Sequence, residues 1–144
     1  ARRNMGMRTY FGYFLVVWAI VLDFIMLGAG PLTGKGCGFW NDNIVGSIGV
    51  PCDANNLSFL LLMNCYLFCG VIRLTAGLFP DHRGCWGAGL ASMVLEIVMV
   101  CMVHSLPTSP SKGVIDFTDG AILMCGPAAV VMVALFPGAK TKAA

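Results

Sequence analysis

Residues 65–84, CYLFCGVIRLTAGLFPDHRG, decide the fold of this chain, because a short polar turn inside them separates two apolar runs. The turn FPDHRG, residues 79–84, carries the proline that typically follows a helix end, and the run before it contains one arginine, Arg73. Two apolar helices joined by so short a turn pack antiparallel. The stretch therefore predicts a helical hairpin with a permanent cation inside its first helix.

The composition places this hairpin in lipid. Hydrophobic residues make up 58% of the 144 residues and charged residues only 11%, whereas a soluble domain is about one-quarter charged. Four runs approach the roughly 20 apolar residues that a helix needs to cross a bilayer. A soluble bundle is disfavoured, because the runs show no wide polar face. We therefore predict an all-α integral membrane bundle, a single domain over residues 1–144 with four transmembrane helices at about 10–28, 57–79, 86–103 and 120–136.

The basic residues are concentrated at one end of the predicted spans. That end holds Arg2, Arg3, Arg8, Arg83, Lys140 and Lys142, whereas the other end holds Lys35 and Lys112. Basic segments resist translocation, so the basic face should be cytosolic, matrix or stromal. We expect both termini on that face and the long loop 29–56 on the translocated face.

The seven cysteines differ in predicted location. Cys37 and Cys52 lie in the translocated loop, and compartments such as the thylakoid lumen, the intermembrane space or the endoplasmic reticulum lumen permit disulfides. We expect a Cys37–Cys52 bridge, with a reduced pair as the alternative. Cys65 and Cys69 share one helix face, but no histidine matches their spacing. We interpret them as packing residues and predict no metal site.

Four polar residues lie inside the predicted spans: Asp23, Asn64, Arg73 and Glu96. At about 1.5 Å per residue, Arg73 lies about 9 Å from the basic face and Glu96 about 15 Å, while Asp23 and Asn64 lie about 20 and 22 Å deep. An unpaired charge in the membrane is costly, so these depths predict two pairs, Arg73 with Glu96 and Asp23 with Asn64. The alternatives for Arg73 are snorkelling to the headgroups, or contact with a lipid, a pigment or a partner chain.

A bound pigment or lipid is a second interpretation of the polar residues. His104 falls at the translocated end of the third run, and one imidazole can ligate the magnesium of a chlorophyll. Asn64 and Glu96 offer the same kind of contact. We therefore consider His104 and Asn64 candidate cofactor-binding residues for chlorophyll or a bound lipid, against the alternative of a solvated or capping histidine.

Small residues recur at helical spacing in the third run, at Gly84, Ala88 and Ser92. Such ridges let helices approach closely in lipid. They predict the face of the third helix that packs against its neighbours. A bundle of this size cannot bury all of its remaining apolar surface, so lipid or the subunits of a larger complex should cover the rest.

The chain shows no Gly-rich nucleotide loop, zinc signature or Ser/His/Asp cluster, so we predict a protein that is not an enzyme and has no catalytic residues. Three N-terminal arginines are too few to indicate nucleic-acid binding. We expect a non-catalytic accessory or structural subunit of an energy-transducing membrane complex, a photosystem or respiratory chain, in a thylakoid or inner mitochondrial membrane. The start at Ala1 fits a removed targeting segment or a trimmed chain. The alternative is a small proton, ion or solute transporter that uses Asp23 and Glu96.

Three features resemble the Erg28 family: CGVIRLTAGL at residues 69–78, the later acidic Glu96, and CGPAAVVMVALF at residues 125–136. Members of that family are four-span endoplasmic-reticulum proteins that tether sterol-synthesis enzymes. The resemblance implies a membrane tether or scaffold in that membrane as a further alternative. The paired Glu/Arg helix motifs of the chlorophyll-binding antenna family are missing, because no arginine follows Glu96 on its helix.

Overall fold

The computed structural model describes residues 2–33, 37, 50–105 and 117–138, and this part of the chain is all-helical, without strands. The helices overlap the four apolar runs. In chain order they are α1 (Arg2–Trp18), a π-helical segment (Ala19–Ala29) that continues α1, α2 (Gly30–Leu32), α3 (Leu57–Leu78), α4 (Arg83–Ser105) and α5 (Phe117–Ala134).

Polar side chains define the ends of the central hairpin. Asn56 caps α3, because its side-chain oxygen accepts hydrogen bonds from the amides of Ser58 and Phe59 at 2.9 and 3.3 Å. At the start of α4, Nδ1 of His82 accepts a hydrogen bond from the amide of Cys85 at 3.2 Å. His82 therefore satisfies an amide that the first turn of α4 would otherwise leave unpaired.

The first helix changes its hydrogen-bonding pattern halfway along. From Ala19 to Ala29 it is a π-helix, and the amide of Gly30 still donates to the carbonyl of Ile25, five residues back. A π-helical stretch is rare, and it rotates the side chains relative to an α-helical continuation. In this chain the π segment buries Asp23, Leu27 and Gly28.

α3 is the centre of the bundle. It packs against α1, the π segment and α4, while α5 packs on α4. One apolar cluster draws on all four long helices and consists of Leu15, Trp18, Ala76, Trp86, Met93, Cys125, Ala128, Ala129 and Met132. The indole nitrogen of Trp86 donates to the carbonyl of Met132 at 2.8 Å, which adds a polar link between α4 and α5. A second cluster joins the π segment to the start of α3 through Leu27, Phe59, Met63 and Tyr66.

α1 and α3 touch through their backbones at two glycines. A Cβ atom on Gly12 would lie 2.7 Å from the carbonyl oxygen of Gly77, and a Cβ on Gly77 would lie 2.6 Å from that of Gly12. Neither carbonyl can move without moving its helix. α3 and α4 are nearly as close, because a Cβ on Gly89 would lie 2.7 Å from the Cβ of Ala76. Gly12, Gly77 and Gly89 therefore let these helices approach closely.

The packing face predicted for α4 is wrong in part. Gly84 and Ala88 are exposed, and only Ser92 of the expected ridge is buried. α4 instead turns a face with Trp86, Gly89 and Ser92 towards its neighbours. The physical reason is that α4 is rotated so that protein covers the large Trp86 ring and the charged side chain of Glu96, one turn after Ser92, which leaves Gly84 and Ala88 on the outside.

The outside of the described bundle is strongly apolar. The stretches Gly6–Ala29 and Leu57–Leu78 are long and apolar enough to cross a membrane, and Ile122–Ala134 is a shorter apolar helix. Only 28% of the most apolar window of α3 is buried inside the protein. A core helix of a soluble protein would be covered on most sides, so the length, apolarity and exposure of these two stretches suggest membrane association.

The glycine crossing of α1 and α3 gives a test. We expect Gly12→Ala to lower the free energy of unfolding by about 1–3 kcal/mol, because the new methyl group would meet a backbone oxygen. Gly6→Ala is the matched control on the same helix, since nothing lies within 4 Å of its added Cβ. It should raise the stability by about 0.5–1 kcal/mol, because alanine loses less backbone entropy than glycine. Unfolding in detergent measures both, and equal effects would contradict the crossing.

Candidate functional site

The polar centre of the bundle is built around Arg73 of α3, which is completely buried. Its Nη1 donates to both carboxylate oxygens of Asp23, in the π segment, at 3.0 and 3.1 Å. Its Nη2 donates to Oε2 of Glu96, in α4, and its Nε donates to Oγ of Ser92 at 3.3 Å. Every nitrogen of the guanidinium group therefore has a partner. We call Asp23, Arg73, Ser92 and Glu96 the charge centre.

Small neighbours allow the three helices to meet at this point. Gly70 lies one turn before Arg73, and a Cβ on it would lie 2.9 Å from the Cβ of Asp23. Any larger residue at position 70 would push the π segment, and with it Asp23, away from the guanidinium. Ser92 lies one turn before Glu96, and its hydroxyl donates to the carbonyl of Gly89 at 2.7 Å while it accepts from Arg73.

Residues from α1 and α5 close the centre. The indole ring of Trp18 lies over the guanidinium, 5.5 Å from its carbon to the ring centroid, at a distance that permits a cation–π interaction. Cys125 of α5 is buried and lies next to Glu96. Arg73 thus has protein on every side. Snorkelling of Arg73 to the headgroups, one of the sequence-based alternatives, is wrong because the side chain has no exposed surface.

The charges of the centre do not balance. Arg73 supplies one positive charge, whereas Asp23 and Glu96 supply two carboxylates, and both are ion-paired with the same guanidinium. Elsewhere in the described residues, the remaining ion pair joins Arg8 and Asp81 at the end of the bundle, 3.1 Å apart. A buried charge without compensation costs several kcal/mol, so one carboxylate of the centre calls for a proton or another cation.

The structure brings together some of the predicted site residues and separates others. Arg73 meets Glu96, as the antiparallel hairpin predicts, but it meets Asp23 as well. The pairing of Asp23 with Asn64 is wrong. Asn64 is exposed, and its amide nitrogen donates to the carbonyl of Leu60 on its own helix at 2.7 Å. The reason is the rotation of α3, whose buried positions are Phe59, Met63, Tyr66, Gly70, Arg73, Ala76 and Gly77. Asn64 follows a buried position and faces outwards.

The remaining predicted residues lie outside the charge centre. Cys37 and Cys52 form a disulfide with their Cα atoms 5.7 Å apart, which ties the end of the first helix to the segment before α3. His104 belongs to α4, but its side chain lies outside the described residues. Among the described side chains, no group of three or more His, Cys, Asp or Glu residues is arranged to hold a metal ion.

The charge centre predicts unequal effects for two arginine substitutions. Arg73→Leu should lower the free energy of unfolding in detergent by about 3–5 kcal/mol, because it leaves two buried carboxylates without a partner. Arg83→Leu is the control. Arg83 is exposed and lies over the ring of Phe136, 5.8 Å from its centroid, so its loss should change the stability by about 0.5 kcal/mol or less. Similar losses in both variants would refute the structural role of Arg73.

A combined variant separates charge from shape. Arg73→Met with Asp23→Asn and Glu96→Gln removes all three charges and keeps the side chains close to their original size. We expect this triple variant to be more stable than Arg73→Met alone, because no uncompensated carboxylate remains buried. The same unfolding measurement applies. A triple variant that is less stable than Arg73→Met would show that the carboxylates stabilise the bundle without the arginine.

The residues of the charge centre come from three helices and are far apart in the chain, so no short local motif contains them all. Comparison with known proteins adds no further assignment, since no family model, curated protein or solved structure matches the chain. The likeness to the Erg28 family therefore rests on the quoted motifs.

Proposed function

We propose that this chain is a four-span integral membrane protein that serves as a non-catalytic structural subunit of a larger membrane complex. The observation that carries this proposal is the set of hydrogen bonds that Arg73 makes inside the bundle. Each of its nitrogens binds a group on the π segment or on α4, so the strongest polar interactions of the bundle hold its own helices together. The surface that is left to contact partner subunits is the apolar outside of the helices.

That outer surface is rich in large apolar side chains on the described helices. Large apolar side chains on α3, α4 and α5 are exposed, among them Leu61, Phe68, Val71, Leu95, Met102, Leu123 and Val130. Lipid and neighbouring membrane subunits are the two media that such side chains can contact favourably. In this proposal α4 and α5 are therefore the third and fourth spans, and the more apolar stretches Gly6–Ala29 and Leu57–Leu78 are the first and second.

Two contacts support a topology with both termini on the basic face. The Arg8–Asp81 ion pair joins the N-terminal part of α1 to the turn between α3 and α4. The contact of Arg83 with Phe136 brings the end of α5 to the same turn. The disulfide joins segments at the opposite ends of α1 and α3. This arrangement agrees with the basic excess near the turn and with an oxidising compartment on the other side.

Within this class, we favour an energy-transducing complex of the thylakoid or inner mitochondrial membrane, a photosystem or a respiratory chain. Support comes from the disulfide, from the sidedness of the basic residues and from the large apolar exterior. Chlorophyll or a bound lipid would contact this exterior, where Asn64 is one of the exposed polar residues.

Two other functions have a specific observation in their favour. An Erg28-like tether is favoured because Arg73, Glu96 and Cys125, which belong to the motifs quoted above, lie next to one another in the structure. A small proton or ion transporter is favoured by the surplus carboxylate shared between Asp23 and Glu96.

Native electrophoresis of the tagged protein after mild solubilisation tests the subunit proposal. We expect the chain to migrate with a larger complex in a fixed ratio to its partners, and the Arg73→Leu variant to lose that association more than Arg83→Leu. Migration of the wild-type chain alone would overturn the proposal. Capture of biosynthetic enzymes would favour the tether. Ion or solute movement in liposomes that Asp23→Asn or Glu96→Gln abolishes would favour the transporter.

Thiol labelling tests the topology. A membrane-impermeant maleimide should modify Cys85, which is partly exposed at the α3–α4 turn, from the basic side without reduction. Cys37 and Cys52 should become reactive only after reduction, and only from the opposite side, because a disulfide protects them. Replacement of the four other cysteines by alanine or serine makes the assignment unambiguous. Labelling of Cys85 and Cys52 from the same side would contradict the topology.

A further inference from the structure

A cavity of about 180 Å³ lies between α3 and α4, on the outer surface of the bundle. Tyr66 and Cys69 line it from α3, and Leu95 and Met99 line it from α4. Glu96 is the charged residue of its lining. The accessible lining is almost entirely apolar, and Glu96, which belongs to the charge centre, is the carboxylate side chain that borders it.

The size of the cavity limits what it can hold. A dry apolar cavity of about 150 Å³ accommodates a molecule of the size of benzene. The cavity beside Glu96 therefore admits one end of a larger molecule, such as a polar head and the first few methylene groups. Leu95 is exposed at its edge, so the rest of such a molecule would lie along the apolar outside of the helices.

The charge centre comes nearest to the outside of the bundle at this cavity. The side chain of Glu96 is 8% exposed, whereas those of Arg73 and Asp23 are 0% and 1% exposed. Both carboxylates already pair with Arg73, and with both of them ionised the centre has one negative charge more than it has positive charges. A cation that balances this charge would therefore approach through the cavity and meet Glu96.

We propose that this cavity binds a membrane-dissolved primary amine, whose protonated amino group pairs with Glu96 and whose apolar chain lies against Leu95 and Met99. An ammonium group donates up to three hydrogen bonds and carries the missing positive charge. An alcohol of the same length offers a donor without the charge. The inference goes beyond the structural role proposed for the chain and rests on its placement in a membrane.

Thermal unfolding of the full chain in mild detergent, with dodecylamine or dodecanol added below the level that disturbs the micelle, tests this proposal. We expect dodecylamine to raise the midpoint of unfolding and to remain bound in native mass spectrometry, and dodecanol to do neither. Glu96→Gln should weaken amine binding at least tenfold, because it removes the carboxylate. For each variant, the midpoint of unfolding with dodecylamine is compared with the midpoint of the same variant without it.

Two further variants keep the test informative if Glu96→Gln folds poorly. Met99→Trp should fill the cavity while leaving all four residues of the charge centre in place, and it should abolish amine binding. Met124→Trp is the matched control, since Met124 is exposed on α5 and does not line the cavity. It should bind the amine as the wild type does.

Three results would overturn the proposal. Equal stabilisation by dodecanol would mean that the cavity recognises only apolar chains. No stabilisation by either compound would mean that a proton balances the surplus charge. Amine binding that survives both Glu96→Gln and Met99→Trp would place the amine elsewhere. These results are separable from the subunit proposal, because loss of amine binding leaves the co-migrating partners unchanged, and a chain without partners can still bind the amine.

Discussion

The fold of this protein depends on one constraint, the burial of a guanidinium group between two carboxylates on different helices. Because the guanidinium is planar and donates in several directions, Arg73 can bind Asp23, Ser92 and Glu96 at once, which a lysine ammonium on a flexible stem would do less well. These bonds hold α3 in a defined rotation and register against the π segment and α4. Gly70 and Gly89 make the same contacts sterically possible, because side chains there would keep the helices apart.

The charge centre also divides the protein into an interior and an exterior of different character. Inside, the ionised groups pair with one another, and Trp18 and Cys125 close the remaining sides. Outside, the described helices present large apolar side chains. Glu96 is where the two regions meet, since it belongs to the centre and also lines the cavity between α3 and α4. A structural subunit and a site for an amphiphilic ligand are therefore compatible uses of the same bundle.

Part of the site could be predicted from the sequence. A short turn forces α3 and α4 to be antiparallel, so distances along the chain from that turn place Arg73 and Glu96 at similar depths. The same calculation fails for Asp23, because it treats the first helix as a regular α-helix of estimated length. That helix begins at Arg2 and becomes a π-helix at Ala19. Depth alone points to Asn64 as the partner of Asp23, although depth does not say which way a side chain faces.

The sequence by itself determined that the chain is helical and apolar, that charges are scarce inside its helices, and that Arg73 and Glu96 lie on neighbouring helices. These properties follow from composition and from the length of runs and turns, which are local. Only the tertiary structure decided that Asp23 rather than Asn64 faces inwards, that the backbones of α1 and α3 meet at Gly12 and Gly77, and that one arginine serves two carboxylates. Those outcomes depend on the rotation of each helix about its axis, which many weak packing contacts determine together.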